Sequence, residues 1–291
     1  MSSTLLSDVT NQVNKYWAPI FMKELRQRLL LGALVNKDYS GEIKQLGDRV
    51  RVSQINAPTG ELRTAGTDAD SFNSQLLSTS YVDVTANKRA VASFEMEDLV
   101  MLQSQIGNQD SEIRASMMYA VEQQINEYLK SLVSPSTSAP DHLINSVSDF
   151  NASQLSAARI LAGQAKWDTS KGWFCLVDPS YHGDLLNAQT LTSGDYVGND
   201  LPVIGGQIAQ KRFGFNILED NSFSTDRALL FHPDFMHLVM QQEARFKISD
   251  MHGQGKFMFK MSVDVVFGAA LGIQGANKHI VVSAAASGST L

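Results

Sequence analysis

The chain has 291 residues, of which 43% are hydrophobic and 19% are charged, a balance typical of a folded globular protein. Its formal net charge of −6 is spread along the chain without a basic block, which argues against tight, non-specific binding to nucleic acid. The single cysteine, Cys175, excludes a disulfide within the chain, and no apolar run approaches the roughly 18 residues of a membrane span. The first residues lack the basic region and the apolar core of a secretory signal, so we expect a cytoplasm-like compartment.

The N-terminal part combines a polar arm, an amphipathic helix and a strand. Residues 1–15 are polar and weakly patterned, so we expect an arm with little core of its own. Apolar positions at helical spacing predict a helix over 16–35. A Gly-Asp turn signal follows, and alternating polar and apolar residues then predict a half-buried strand over 49–55.

A long polar excursion follows this strand. Residues 56–78 are mainly Ala, Pro, Thr, Gly, Asp and Ser, with few large apolar side chains. Alternating segments over 81–84 and 90–94 come next, so the sequence predicts the tip of a protruding two-stranded structure. A loop of this length inside a compact domain is functional, disordered or bound to another copy of the chain.

The longest helical pattern covers 105–133, where apolar residues form one continuous stripe. Polar and acidic residues crowd its start, and Lys130 in its last turn has the sign that suits the helix dipole. Pro135 and Pro140 forbid its continuation. A helix of about 25 residues is roughly 38 Å long, and we expect such a rod to lie on a sheet.

Strands and helices alternate in the middle third of the chain. Asn151 as N-cap, with Gln154 three residues later, predicts a helix over 152–166. The elements predicted next are a buried strand over 173–177, a helix opened by Asp178-Pro179, strands over 215–218 and 228–231, and a helix over 233–242 opened by proline. This alternation predicts an α/β unit with its own core.

Strand signals dominate the C-terminal part. The predicted strands cover 245–251, 257–267 and 278–284, with a turn over 252–255 between the first two. Turns or bulges are predicted at three glycines, Gly268, Gly272 and Gly275.

Common catalytic signatures are absent from the sequence, which contains no Gly-x-Ser-x-Gly, no phosphate-binding P-loop and no His-Glu-x-x-His. Gly253-x-Gly255 lacks the third glycine of a dinucleotide fingerprint. His232 and His237 are five residues apart and do not share a helical face, which argues against a zinc site. Cys175 lies in an apolar run and is expected to be a buried small hydrophobe. We therefore predict no catalytic, cofactor-binding or metal-binding residues.

Three groups of segments, taken in order, carry a family resemblance along nearly the whole chain. They are 34–39 with 47–52, then 94–98 with 103–129, and finally 177–179 and 185–186 with 205–208 and 213–217. In this order they resemble the entry into the extended loop, the spine helix and the axial domain of tailed-bacteriophage major capsid proteins with the HK97 fold. Each piece alone is common, and their joint order carries the resemblance.

The resemblance implies an α+β fold with an N-terminal arm, an extended loop formed by a β-hairpin, a peripheral domain with a long spine helix and a β-sheet, and an inserted α/β axial domain. It divides the chain into the arm and first helix, the extended loop with its flanking strands, the peripheral domain with the spine helix, the axial domain, and the returning strands with the C-terminal tail. These parts cover 1–47, 48–95, 96–172, 173–250 and 251–291.

The implied function is that of a major capsid protein, which self-assembles into hexamers and pentamers of an icosahedral shell enclosing double-stranded DNA. Implied partners are many copies of the chain itself, a separate scaffolding protein, a portal protein, and packaged DNA that is contacted weakly and non-specifically. No membrane partner and no cofactor are implied, and the location is the virion, assembled in the host cytoplasm. Because 56–78 contains no lysine, the isopeptide cross-link that some family members form from a loop lysine is disfavoured.

Intersubunit contacts are expected on the extended loop, because this segment buries its few apolar residues only in an assembly. Leu62 and Phe72 would supply apolar contact, and Arg63, Asp68 and Asp70 would supply complementary charge that sets register. Ordinary solvated loop charge is an equally good explanation of each charged residue.

Two alternatives stay open at this point. An encapsulin-like nanocompartment would keep the fold and enclose a cargo protein instead of DNA. An α/β hydrolase-like enzyme would centre on 173–242, with Cys175, His182 or His232 as reactive groups.

Overall fold

The computed structural model describes residues 26–27, 29–40, 49–62, 64, 74–98, 110–192, 211–286 and 291. The described helices are α1 (Leu31–Leu34), α2 (Asp110–Ser131), α3 (Ala152–Gln164), α4 (Pro179–Asn187) and α5 (Gln189–Thr192). The described strands are β1 (Arg49–Ile55), β2 (Thr79–Thr85), β3 (Lys88–Glu97), β4 (Leu143–Ile144), β5 (Trp173–Val177), β6 (Phe215–Glu219), β7 (Arg227–Phe231), β8 (Met236–Asp250), β9 (Met258–Leu271) and β10 (His279–Ser283). The predicted arm, most of the helix predicted over 16–35 and the segment 205–208 lie outside the described residues.

Helix α2 lies on a three-stranded antiparallel sheet with the strand order β3-β9-β8. Its apolar stripe includes Val121 and Leu129, which are buried in one cluster with Val263 and Val265 of β9. The predicted amphipathic helix and its position on a sheet are therefore confirmed for the described part of 105–133. At its C-terminal end, the Lys130 ammonium donates a hydrogen bond of 2.7 Å to the carbonyl oxygen of Ser222.

The opposite face of this sheet carries the base of a hairpin formed by β1 and β2. Side chains alternate along β9, so the residues next to Val263 and Val265 point away from α2. On that face Val50 and Val52 of β1 and Val84 of β2 form a separate buried cluster with Val239 of β8. The sheet is thus covered on one side by a helix and on the other by a hairpin base.

A second, mixed sheet has the strand order β4-β10-β7-β5-β6. One of its faces packs on α3 and α4, through side chains that include Val177, Leu230 and Ile280. The other face contributes Leu176 and Leu229 to the cluster under α2. Because both faces are covered, its strands are continuous apolar runs, and the buried strand predicted over 173–177 is confirmed as β5.

Two helix starts follow the predicted capping chemistry. The Asn151 side chain accepts a hydrogen bond of 2.9 Å from Ser153 N, and the Gln154 side chain accepts one of 3.2 Å from Asn151 N, which completes a capping box. Asp178 caps α4 by accepting hydrogen bonds from the backbone N–H groups of Ser180 and Tyr181, with proline in the first turn. Both predictions are confirmed.

The helix predicted over 233–242 is wrong. Pro233–Phe235 form one 3-10 turn, and the chain then continues as β8, which pairs with β9. Leu238 is buried on the α2 side and Val239 on the hairpin side. A strand buried on both faces does not alternate between apolar and polar residues, so its hydrophobic pattern cannot be distinguished from that of a buried helix.

The interpretation of Gly268 as a turn or bulge is also wrong, because it lies inside β9, paired with Val239. Gly272 and Gly275 do lie in the turn after β9, where Gly275 N donates to Gly272 O at 2.8 Å. Sheet membership does not follow the predicted break at 250/251, since β8 joins β3 and β9 while β10 joins β7 and β4. The five-part division stays a prediction.

Candidate functional site

The hairpin is the candidate functional site because it leaves the body of the chain as a two-stranded projection. Its strands pair from Arg49 opposite Thr85 to Ile55 opposite Thr79. Pairing continues beyond the strands, where Asn56 N donates to Ser78 O at 3.0 Å. Farther out, the Gln75 side-chain amide accepts from Thr59 N at 3.0 Å and donates to Thr59 O at 3.2 Å. The projection predicted from the sequence is confirmed over these residues.

Burial within the chain ends near the base of this hairpin. Val52 is buried, whereas the next three residues of β1 are exposed. Large apolar side chains beyond that point face solvent, and the relative exposure of Leu76 is 97%. The exposed apolar set of the hairpin consists of Ile55, Leu62, Leu76, Leu77 and Tyr81. Exposure of so many large apolar residues in one projection is typical of a protein contact surface.

Leu62 is the one residue of the predicted contact set that lies among the described residues, and it is fully exposed. The predicted contact residues Arg63, Asp68, Asp70 and Phe72 lie outside the described residues, and their roles stay predictions.

One face of the hairpin carries a cross-strand ion pair. Arg51 Nε donates to Asp83 Oδ1 at 2.8 Å and Arg51 Nη2 donates to Asp83 Oδ2 at 3.0 Å. The Arg51 guanidinium also lies over the Tyr81 ring, 4.1 Å from its centroid. Hydrogen bonding to Arg51 lowers the pKa of Asp83, with Arg49 adding a smaller Coulombic contribution. These contacts fix the strand register on the exposed face of the hairpin base, opposite the face that buries Val50 and Val52.

A second ion-pair cluster braces the sheet on the face that carries the hairpin base. Asp264 of β9 is 95% buried, and its Oδ2 accepts from Arg89 Nη2 of β3 at 2.6 Å and from Arg245 Nη2 of β8 at 2.7 Å. Hydrogen bonding to Arg245 is the largest cause of the lowered pKa of Asp264, and hydrogen bonding to Arg89 adds to it against the effect of burial. One carboxylate therefore ties together the three strands of the sheet.

Several residues of this surface were not predicted from the sequence. Ile55, Tyr81, Arg51 and Asp83 belong to predicted strands, but they were not assigned to a site. Opposite charges at alternating positions of two consecutive strands were the available signal for the ion pair. Leu76 and Leu77 were visible as apolar residues in a polar segment, which is the signal that identified Leu62.

The residues of the hydrolase hypothesis do not form an accessible reactive group. Cys175 has no exposed surface and is paired with Ile217 and Leu230 of the neighbouring strands, and burial raises the pKa of its thiol. His182 lies in α4, and His232 Nδ1 accepts a hydrogen bond of 3.2 Å from Asp234 N. Burial lowers the pKa of His232. In the described part of the chain, no group of three or more His, Cys, Asp or Glu residues could hold a metal ion.

No protein-family model matches this chain, and no curated protein matches it in sequence. Solved structures do match. One, from Mycobacterium phage Che8, has a TM-score of 0.74 at 17% identity. The match covers 94% of this chain and 97% of that one. The capsid structure of cyanophage P-SCSP1u gives a TM-score of 0.73 at 13% identity, with coverage of 96% of this chain and 95% of that one. The cyanophage Pam1 capsid gives a TM-score of 0.69 at 13% identity, with coverage of 99% of this chain and 100% of that one.

This is the HK97-like capsid fold. The described residues are α+β, with α2 lying on a sheet and the hairpin of β1 and β2 projecting from it, which agrees with this fold. Among the described residues, no helix combines the length and the apolar character needed to cross a membrane.

Proposed function

We propose that this chain is the major capsid protein of a tailed phage, which assembles into hexamers and pentamers of an icosahedral shell. The observation that carries the proposal is the hairpin, a projection whose Leu62, Leu76 and Leu77 are exposed and find no cover among the residues that the structure describes. Its occurrence on a fold that matches phage capsid structures over nearly their full length supports the same function.

The energetics favour a lattice of identical copies. Full burial of one leucine side chain contributes about 1.5–3 kcal/mol, so a few such side chains give a modest contact between two copies. Every copy both offers a hairpin and covers one in a closed shell, so modest contacts add up through multivalency. Weak single contacts that become strong only in large numbers suit a particle that assembles reversibly before it closes.

The proposed partners extend beyond the chain itself. A separate scaffolding protein and a portal protein are proposed from the family resemblance. Double-stranded DNA is proposed as the packaged content, contacted weakly because the net charge of −6 gives no strong electrostatic attraction to phosphates. The proposed location is the virion, after assembly in the host cytoplasm.

Assembly of the full chain is the direct test. The chain is produced alone and together with a scaffolding protein from the same phage, and the products are analysed by sedimentation velocity and negative-stain electron microscopy. We expect closed shells from the unaltered chain and from Ser53→Ala, a change of an exposed polar residue in the same hairpin. The double variant Leu76→Ser/Leu77→Ser is expected to stay unassembled while its circular dichroism spectrum is retained.

Two results would contradict the proposal. The first is a chain that stays monomeric at every concentration, with and without the scaffolding protein. The second is a shell that contains a cargo protein and no nuclease-protected DNA when it is isolated from infected cells, which would identify a nanocompartment.

A further inference from the structure

The hairpin crosses the three-stranded sheet at one glycine. Strand β3 begins with Lys88 opposite Phe267 of β9, and the residues just before it, Thr85 and Ala86, pass over Gly268. A methyl carbon at Gly268 would overlap the carbonyl oxygen of Thr85, and it would lie 2.7 Å from the Thr85 carbonyl carbon and 2.9 Å from Ala86 Cα. All of these atoms belong to the backbone, so no side-chain rotation would relieve the overlap.

Among the described residues, a small buried cluster holds the hairpin at this crossing. Its buried members are Val50 and Val52 of β1, Val84 and Ala86 of β2 and its exit, and Val239 of β8, with Tyr39, Ala270 and Ile273 partly buried against them. The exit from β2 is tight, since Asn87 N donates to Thr85 O at 3.1 Å. Gly268 is paired with Val239 in the ladder of β8 and β9, so it lies directly under this cluster.

Because this base is short, the direction of the hairpin is sensitive to small displacements of the residues that contact the sheet. The two buried valines of β1 are about 7 Å apart, whereas Ile55 at the end of the strand is roughly 17 Å from the first of them at about 3.3 Å per residue. A displacement at the base is therefore enlarged about 2.5-fold at the end of the strand. The exposed leucines farther out move even more.

We propose that Gly268 is a positioning residue that sets the angle at which the hairpin leaves the body of the chain. This inference rests on the proposed function, because the angle matters only if the hairpin must reach a neighbouring copy. A side chain at position 268 lifts Thr85 and Ala86 off the sheet and re-aims the hairpin. The altered angle then changes the curvature of the shell or prevents closure.

The experiment measures the angle in the unassembled chain and the product of assembly separately. Nitroxide labels are attached at Ile55→Cys, in the exposed end of β1, and at Gln164→Cys, in the exposed end of α3. Cys175 is fully buried and does not compete for the label. Pulsed electron paramagnetic resonance then gives the distance in Gly268→Ala and in the matched control Gly253→Ala, where an added Cβ meets nothing within 4 Å.

We expect a shift of the mean distance by about 4 Å in Gly268→Ala, from the 2.5-fold enlargement of a displacement of about 1.5 Å, and no shift in Gly253→Ala. Gly268→Ala is also expected to give no shells, or shells of a different diameter, under conditions where Gly253→Ala assembles normally. An unchanged distance together with shells of normal diameter would overturn the inference.

Two controls keep the outcome decisive. If Gly268→Ala does not fold, the same distance is measured in Ala86→Val, which adds bulk at the crossing from the hairpin side, and an unchanged distance there overturns the inference. If the unaltered chain never assembles, the proposed function fails, but the distance shift in the unassembled chain still tests the role of Gly268.

Discussion

Arg51 and Asp83 face each other across the hairpin and form a two-point ion pair, with nitrogen–oxygen distances of 2.8 and 3.0 Å. Arg51 lies between the buried Val50 and Val52 and points to the opposite, exposed face, so the pair holds the register on the face that has no core beneath it. The same exposed position means that water competes for both partners, so its contribution to the stability of the whole chain is small.

Asp83→Asn should therefore loosen the hairpin without unfolding the body. We expect the backbone amides of 49–55 and 79–85 to exchange about two- to fivefold faster, because local opening becomes easier. Hydrogen exchange followed by mass spectrometry measures this change. Ser53→Ala, which leaves the ion pair intact, should exchange at the unaltered rate, and equal rates in Asp83→Asn would contradict the prediction.

Leu129 should dominate the contact between α2 and its sheet. Its side chain is fully buried, so Leu129→Ala is expected to lower the free energy of unfolding by about 2–5 kcal/mol through lost transfer energy and a cavity. Urea denaturation followed by tryptophan fluorescence gives the value. Ile160→Ala on α3, where the residue is 60% exposed, should change the free energy of unfolding by less than about 0.5 kcal/mol.

Asp264→Asn should weaken the sheet more than removal of an exposed carboxylate does. The two arginines lose their charged acceptor but stay solvated, so we expect a loss of about 1–2 kcal/mol in the free energy of unfolding at neutral pH. The lowered pKa of Asp264 means that the unaltered chain keeps this contribution above the ordinary carboxylate value of 3.8 and loses it as the pH falls through the folded value.

Glu97→Gln is the matched control for this prediction, because Glu97 is an exposed carboxylate at the end of β3 in the same sheet. Denaturant titrations of both variants at neutral pH and near pH 3 test the prediction. Equal losses in the two variants at neutral pH would show that the ion pairs of Asp264 contribute no more than an exposed carboxylate does.

His279 should make the chain sensitive to mild acid. Burial lowers its pKa from 6.5 to about 4, while its hydrogen bond to Gly275 O acts in the opposite direction and nearby His142 adds to the lowering. The unfolded chain therefore binds a proton that the folded chain does not, and stability falls as the pH drops from 6.5 to about 4. The loss from this residue is at most about 3 kcal/mol.

His279→Asn keeps a side-chain N–H for Gly275 O and removes the titration. We expect this variant to start with a lower melting temperature at pH 7.5 but to lose less of it between pH 6.5 and 4, by differential scanning calorimetry. His252→Asn, at an exposed histidine in the turn before β9, should keep the full acid dependence. An identical slope in His279→Asn and the unaltered chain would contradict the assignment.

Cys175 should be inert in the folded chain. Its thiol has no exposed surface, and burial raises its pKa, so both access and the thiolate form are disfavoured. We expect no reaction with a chromogenic aromatic disulfide under native conditions. In denaturant, one thiol per chain should react. Rapid native labelling would reopen the hypothesis of a reactive cysteine and would also compromise the labelling experiment on the hairpin.

The features that the sequence predicted correctly depend on neighbours along the chain. The capping box at Asn151 and Gln154 is complete within a few residues. The stripe of α2 repeats within each turn of the same helix. The alternation of β1 gives its buried and exposed faces directly, at least over the residues next to Val50 and Val52.

The features that it missed depend on segments far apart in the chain. The run from Met236 to Met240 is apolar on both faces because α2 covers one side and the hairpin base covers the other, and no local period records that. Gly268 looks like a turn glycine until Thr85 is placed above it. The exposure of Leu62 and Leu76 likewise depends on whether a distant segment packs on them, which the local sequence does not show.

By itself the sequence determined the helices with complete caps and stripes, the alternating strands and the polar projection, because hydrogen-bond caps and side-chain periodicity act over a few residues. Only the tertiary structure decided which sheet each late strand joins, where the hairpin crosses the sheet and which apolar side chains stay in solvent. Those outcomes depend on packing between distant segments, and packing is set by shape and contact in space rather than by spacing along the chain.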